Sequence, residues 1–194
     1  MKEQQDISII RRVLEGDTDA FGMLVDHYGS MVFQVVYRIT DNREASEDLC
    51  QEAFIRAFRQ LSQFKGDAAF SSWLYRIAWN LSMDHLDKAR KQTWVDINEL
   101  TETHNRSLPA TEPFDTMDTA ERRRALTREI ERLAPPDRLL IELYYQEEKT
   151  VKEISWIMGL GESNVKIRLH RIRKKLKSRF GIEENDELQS SDRL

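Results

Sequence analysis

The chain has 194 residues, enough for one domain or two small ones, and 40% of them are hydrophobic. Cys50 is the only cysteine, which excludes an internal disulfide and a cysteine-based zinc cluster. The four histidines lack metal-ligand spacing, so we expect neither a metal nor another cofactor. The N-terminus is polar and no apolar run is long enough to insert in a membrane, so a cytoplasmic protein is expected.

The net charge of −4 is unevenly distributed along the chain. Residues 92–118 carry 1 basic and 6 acidic side chains, residues 119–180 carry 16 and 9, and residues 181–194 carry 1 and 5. One basic module therefore lies between two acidic segments. Because acidic segments repel phosphate or cover a basic face, the isolated chain is expected to bind DNA weakly.

Scarce glycine and proline, and the lack of long apolar–polar alternation, predict an all-α protein. A first helix is predicted around Asp6–Gly16, where Gly16 and Asp17 provide a stop and a new cap. Two further helices are predicted, one from about Thr18 to Tyr28 and one over Met31–Ile39. All three have the pattern of plain core helices and carry no catalytic constellation.

The Glu44–Phe64 segment has two contrasting faces. One is a predicted buried stripe of Leu49, Ala53, Phe54, Ala57, Phe58 and Leu61. The other carries the polar side chains Glu47, Asp48, Gln51, Glu52, Arg56 and Arg59. Such a mixed-charge face is either simply solvated or a docking face for a large protein partner. An active site is disfavoured, because no histidine, cysteine or glycine-rich loop accompanies the carboxylates.

A loop at Lys65–Asp67 precedes a helix predicted over Phe70–Lys91. Its predicted buried stripe is Phe70, Trp73, Leu74, Ile77, Ala78 and Leu81. The residues expected outside this stripe or at its edge are Tyr75, Arg76, Trp79, Asn80, Met83 and Asp84. Aromatic rings, an amide and cations beside a loop suit a nucleic-acid single strand, whose bases stack while its phosphates meet cations. The alternative is that most of these aromatic residues, Trp73 above all, belong to the core.

Residues 92–118 are acidic, contain two prolines and show no sustained period, which predicts a linker. Helices are predicted next over Asp118–Leu133 and Asp137–Glu147. The polar, acidic tail after Gly181 is expected to be disordered.

The Val151–Phe180 stretch has the register of a helix-turn-helix, whose second helix enters the DNA major groove. A short apolar stripe ends at Gly159, and a second helix is predicted from near Ser163. Between residues 162 and 180 there are eight Lys or Arg and only one Glu. The basic residues lie mainly on the side of the second helix opposite its apolar stripe of Val165, Leu169, Ile172 and Leu176. An ordinary helical hairpin with a solvated basic face is the alternative.

Two blocks of the chain resemble conserved regions of a known family. The Glu47–Ala57, Phe64–Asp67 and Phe70–Asn80 segments are similar to the second region of bacterial sigma factors of the extracytoplasmic-function (ECF) group. The helix-turn-helix, with Leu133–Pro136 leading into it, resembles their fourth region, and the order and spacing match over roughly residues 7–180. The resemblance implies two small helical domains, with this division: 1–91 sigma-2-like, 92–118 linker, 119–180 sigma-4-like, and 181–194 tail.

The resemblance also implies a promoter-specificity subunit of bacterial RNA polymerase, without catalytic residues, cofactor or small-molecule substrate. The implied contacts with the clamp coiled coil of the β′ subunit are Asp48, Gln51, Glu52 and Arg56. The implied site for a flipped base of the downstream (−10) promoter element comprises the Lys65–Asp67 loop, with Lys65 itself, and Arg76, Asn80 and Asp84. The implied readers of the upstream (−35) element are Lys166, Ile167, His170, Arg171 and Arg173. The C-terminal module would also rest on the β flap, and a cognate anti-sigma factor would clamp both modules.

The sequence departs from the family pattern at three positions. Asp87 stands where a basic residue is usual, Trp79 is bulkier than usual beside Asn80, and Ile167 occupies a position that is often small and polar. These departures concern the promoter sequence rather than the class of protein.

Two other classes compete with the sigma-factor interpretation. One is a stand-alone helix-turn-helix regulator with an N-terminal sensing or dimerisation domain, which does not require the two N-terminal blocks. The other is an enzyme acting on nucleic acid, for which the sequence offers no clustered nucleophile, base or metal ligands.

Overall fold

The computed structural model describes residues 2–93 and 118–180, so nearly all of the predicted linker and the whole predicted tail lie outside the described residues. The described residues contain no strand, which confirms the all-α prediction. None of their helices is both long and apolar enough to cross a membrane. The helices are α1 (Lys2–Leu14), α2 (Phe21–Thr40), α3 (Arg43–Arg59), α4 (Phe70–Thr93), α5 (Thr119–Glu131), α6 (Pro135–Tyr145), α7 (Val151–Met158) and α8 (Glu162–Arg179).

The N-terminal half is built around α2, which packs against α3 and α4 while α1 lies beside it. The prediction of two helices between Thr18 and Ile39 was wrong. The Asp17 carboxylate accepts a hydrogen bond from the Ala20 amide and caps a short 3₁₀ turn, after which α2 continues without a break through Gly29. A glycine inside a helix costs only about 1 kcal/mol. Burial of apolar residues on both sides of Gly29 offsets that cost.

Three side chains differ in burial from the sequence prediction. Phe58 is 40% exposed although it was assigned to the buried stripe. Tyr75 and Trp79 are buried although they were placed outside the stripe of α4 or at its edge. Tyr75 and Trp79 are buried because α4 is covered on several sides: it packs against α2, α3 and also α7 of the C-terminal half. A single-stripe periodicity therefore underestimates its burial.

The C-terminal half contains α5–α8, and its last three helices pack against one another. Capping boxes begin α5 at Asp118 with Glu121 and α7 at Thr150 with Glu153. In each box the cap side chain accepts a backbone N–H while the glutamate accepts the N–H of the cap residue. These local signals explain why the predicted helix starts in this half are close to the observed ones.

The two halves contact each other through α2 with α6 and α4 with α7, and their buried residues form one contiguous core. At the first contact, Arg38 forms an ion pair with Glu142, which is only 4% exposed. Burial raises the pKa of the Glu142 carboxyl, the Arg38 guanidinium opposes this shift, and the nearby Glu147 carboxylate adds to it. The net direction is upward, so this interface favours the protonated glutamate more than water does.

The raised pKa of Glu142 predicts how the stability of the fold depends on pH. A group whose pKa is raised by folding contributes stability below its ordinary pKa, here 4.5, and loses it as the pH rises through the raised value. We therefore expect the native chain to gain free energy of unfolding relative to Glu142→Gln as the pH is lowered from 8 towards 4.5. Urea denaturation of both proteins across this range measures the difference, with exposed Glu131→Gln as the control. A difference that stays constant, or that grows with rising pH, would contradict the assignment.

Candidate nucleic-acid interface

The helix-turn-helix is formed by α7, the turn at Gly159 and α8. Gly159 has φ +66°, a left-handed conformation that glycine adopts without steric cost, and its N–H bonds to the Ser155 carbonyl. The Ser155 hydroxyl donates to the Leu160 carbonyl, and the Leu160 side chain is partly buried against the core. Buried side chains from both helices close the unit, namely Ile154, Ile157, Met158, Val165, Leu169 and Ile172.

The outer face of α8 brings together four of the five residues predicted to read DNA. Lys166, His170 and Arg171 are exposed, and Ile167 is 50% exposed although it is apolar. At 100° per residue Ile167 lies nearly opposite the buried stripe of α8. The face therefore presents an apolar centre flanked by hydrogen-bond donors and positive charge, which suits the methyl groups and base edges of a major groove.

Arg173, the fifth predicted residue, is held by two tyrosines at the end of α6. Its Nε donates a 2.7 Å hydrogen bond to the Tyr145 hydroxyl, and its guanidinium lies 5.3 Å from the Tyr144 ring and 5.7 Å from the Tyr145 ring. Burial acts to lower the pKa of Arg173, but the tyrosine hydroxyls outweigh it and raise that pKa. Sequence reasoning missed these partners, because the spacing between α6 and α8 is not readable from helical periodicity.

The polar face of α3 is present as predicted. Asp48, Gln51 and Glu52 are exposed, and Arg56 is half-buried with its Nη2 2.8 Å from the Glu52 Oε1. Sequence reasoning missed the neighbouring groove between α2 and α3, a cavity of about 580 Å³ with almost wholly apolar walls. Its lining includes Phe21, Phe33, Phe54, Ile55 and Phe58. The exposure of Phe58 and Ile55 would have signalled it, had Phe58 not been assigned to the core.

The loop and the α4 residues predicted to hold a base are only partly accessible. Lys65, Asn80 and Asp84 are exposed, and Gly66 takes the left-handed φ of +78° that the loop requires. Arg76 is half-buried, because the indole of Trp156 on α7 lies 4.6 Å from its guanidinium carbon. The loop and α7 together form the walls of a cleft of about 620 Å³.

The chemistry of these surfaces is that of binding. Exposed cations, amides and aromatic rings recognise phosphates and bases. Within residues 2–93 and 118–180, no group of three His, Cys, Asp or Glu is placed to hold a metal ion.

Comparison with known families assigns the two halves. Residues 24–92 match Sigma-70 region 2, and residues 123–176 match Sigma-70 region 4. The chain is 34% identical over 177 residues to the ECF RNA polymerase sigma factor SigW of Bacillus subtilis (strain 168), covering 88% of this chain and 94% of the relative. It is also 34% identical over 180 residues to the ECF RNA polymerase sigma-E factor of Escherichia coli (strain K12), covering 90% and 94%. The chain therefore belongs to the ECF RNA polymerase sigma factors.

Solved structures show the same fold. The sigma factor RpoE of Bartonella quintana, determined in complex with the anti-sigma factor NepR, aligns with a TM-score of 0.62 and 16% identity over 84% of this chain and 98% of RpoE. CnrH, determined in complex with the cytosolic domain of CnrY, aligns with a TM-score of 0.55 and 21% identity over 91% and 97%. The prediction of the family from two motif blocks in the right order is thus confirmed.

Proposed function

We propose that this sigma factor divides promoter recognition among three surfaces. The α3 face of Asp48, Gln51, Glu52 and Arg56 binds core RNA polymerase at the β′ clamp coiled coil. The Lys65–Asp67 loop and the exposed face of α4 capture an unpaired base of the downstream element. The outer face of α8 reads the upstream element, while the same half rests on the β flap. The observation that carries the proposal is that these exposed polar faces lie within the two matched sigma-70 regions, in the family's order.

The proposed domain limits are 1–91 for the polymerase-binding and melting domain, 92–118 for the linker and 119–180 for the helix-turn-helix domain. In this proposal the protein acts in the cytoplasm, has no catalytic residues of its own and takes no cofactor. An anti-sigma factor controls it, since two proteins of the same fold were solved with an anti-sigma factor or a cytosolic partner domain. The apolar groove between α2 and α3 offers such a partner a binding surface.

The proposal predicts that promoter binding depends on polymerase. A single helix-turn-helix module buries little DNA surface, and the acidic segments of the chain oppose phosphate binding. We expect weak, mostly nonspecific binding by the isolated protein, and promoter-specific run-off transcription when core polymerase is added to genomic templates. Tight, specific footprints by the isolated protein would favour the stand-alone regulator instead.

Asn80 tests the downstream site. Its exposed amide can both donate to and accept from a base edge, and its removal leaves the α3 face untouched. We expect Asn80→Ala to reduce strand opening, measured by permanganate reactivity of unpaired thymines, while affinity for core polymerase is unchanged. Gln34→Ala, also an exposed amide on a helix but not lining the cleft beside the loop, is the matched control. An equal loss of core affinity would show that Asn80 acts in assembly rather than in base capture.

Ile167 tests the upstream site. Because half of its surface is exposed, Ile167→Ser should change the free energy of unfolding by less than about 0.5 kcal/mol. We expect a changed base preference at one or two upstream positions, because the contact with thymine methyl groups is lost. Transcription from a library randomised in the upstream element measures the preference.

Arg173→Ala is the contrasting variant for the same library. Loss of one phosphate-directed cation should weaken all promoters alike and reduce the salt slope by about 1. An unchanged base profile for Ile167→Ser would remove Ile167 from the reading surface.

A further inference from the structure

The end of α6 places two consecutive tyrosines beside α8. Tyr144 packs against the core, and its ring meets the ring of Tyr145 edge to face with 5.0 Å between the centroids. Tyr145 itself is 53% exposed, so the packing of the core does not explain an aromatic residue at this position. The guanidinium of Arg173 lies 5.3 Å from the first ring and 5.7 Å from the second. The contact with Arg173 is therefore what the Tyr145 side chain has in place of burial.

The hydrogen bond between Arg173 and Tyr145 leaves donors free on both side chains. Arg173 Nε donates to the Tyr145 hydroxyl over 2.7 Å and fills a lone pair of that oxygen. The hydroxyl still has its own proton to donate, and within residues 2–93 and 118–180 no acceptor lies within hydrogen-bond distance of it. The N–H groups on Nη1 and Nη2 of Arg173 are not used by this bond. The pair therefore offers a phenolic proton and a cationic N–H edge side by side at the surface.

This pair of donors suits an anion. A hydroxyl that accepts a hydrogen bond from a cation is polarised by it and becomes a stronger donor itself. Arginine matches the geometry of a phosphate group, because its planar guanidinium can donate two parallel hydrogen bonds to the phosphate oxygens. The ligand that fits Tyr145 and Arg173 together is therefore a phosphate group.

The position of Arg173 along α8 indicates which phosphate this is. Arg173 follows Lys166 by seven residues, so the two lie on nearly the same face of the helix, about 10 Å apart along its axis. The first residues of a recognition helix contact base edges, in a major groove about 12 Å wide. A side chain so much further along the helix, joined by Tyr145 from α6, therefore lies at the flank of the groove, where the sugar–phosphate backbone runs.

We propose that Tyr145 is a further DNA-binding residue of this sigma factor, and that its hydroxyl and the terminal N–H groups of Arg173 bind one backbone phosphate beside the upstream element. The phenolic proton is donated to a non-bridging oxygen of that phosphate. Phosphate contacts of this kind fix the register of a protein on the duplex without reading its sequence. The inference rests on the proposed function of α8 and adds to it a residue from outside the helix-turn-helix.

Equilibrium binding of holoenzyme, reconstituted from core polymerase and the full chain, to a duplex promoter fragment tests the inference. Tyr145→Phe removes only the hydroxyl and should weaken binding about threefold to tenfold, as expected for loss of one hydrogen bond. The dependence of affinity on salt concentration should stay the same, because no positive charge is lost. The base preference in the randomised upstream library should also stay the same. Tyr37→Phe, at a tyrosine of similar exposure on α2, is the matched control and should bind like the native chain.

Single methylphosphonate linkages, which replace one charged phosphate by a neutral group, locate the contact. At one position the penalty of Tyr145→Phe should fall below about twofold, because the acceptor of the hydrogen bond is impaired there. The penalty of Arg173→Ala should fall at the same position. In the Arg173→Ala background, Tyr145→Phe should still weaken binding about twofold, because the hydroxyl contacts the phosphate itself. Circular dichroism establishes that each variant is folded.

Four results overturn the inference. They are unchanged binding by a folded Tyr145→Phe, tighter binding by it, a penalty that is equal at every methylphosphonate position, and a penalty that disappears in the Arg173→Ala background. The last result would make Tyr145 a support for Arg173 and not a ligand of DNA. The proposed function of α8 fails separately, because it is decided by the base preference of Ile167→Ser in the upstream library.

Discussion

The contact between Arg38 on α2 and Glu142 on α6 is the interaction on which the relative placement of the two halves depends. Glu142 is almost fully buried, and a buried carboxylate that loses its partner is strongly destabilising. Because about one third of the Arg38 side chain remains exposed, solvent screens part of this effect. The pair therefore favours one docking position of α6, and that position sets α7 against α4 and Trp156 against Arg76.

The junction between the halves combines apolar packing with polar contacts. Each half has its own helix–helix packing, whereas the junction adds an ion pair, a cation–π contact and a buried tyrosine beside two carboxylates. Because the buried residues of the two halves also form one contiguous core, separating the halves would expose apolar surface together with these polar groups.

The sequence predicted the all-α class, the helix-turn-helix and the family, because capping residues, periodicity and motif order are local signals, but it divided α2 into two helices. It failed where burial depends on contacts between halves. Tyr75 and Trp79 were placed outside the α4 stripe or at its edge because a single helical face was considered, although α4 is covered by helices from both halves. For the same reason the Trp156 contact with Arg76 was not foreseen, whereas the Tyr145 contact with Arg173 was missed because the spacing between α6 and α8 is not readable from helical periodicity.

Some of the cations of α8 pack the helix against its neighbours and others face outward, where DNA would bind. Only the second group can add to the DNA affinity of the helix. Arg168 lies 3.1 Å from the Asp137 carboxylate, Arg179 lies 3.5 Å from Glu129, and Arg173 is bound to Tyr145. Arg168 and Arg179 fix α8 against α6 and α5 through these ion pairs, whereas Arg173, although bound to Tyr145, is exposed like the cations beside Ile167. Each phosphate contact contributes to affinity through release of counterions, so cations committed to packing reduce the strength of DNA binding. Because two of the eight cations of α8 are used for packing, we expect the helix to bind DNA weakly in isolation and core polymerase to supply the remaining affinity for a promoter.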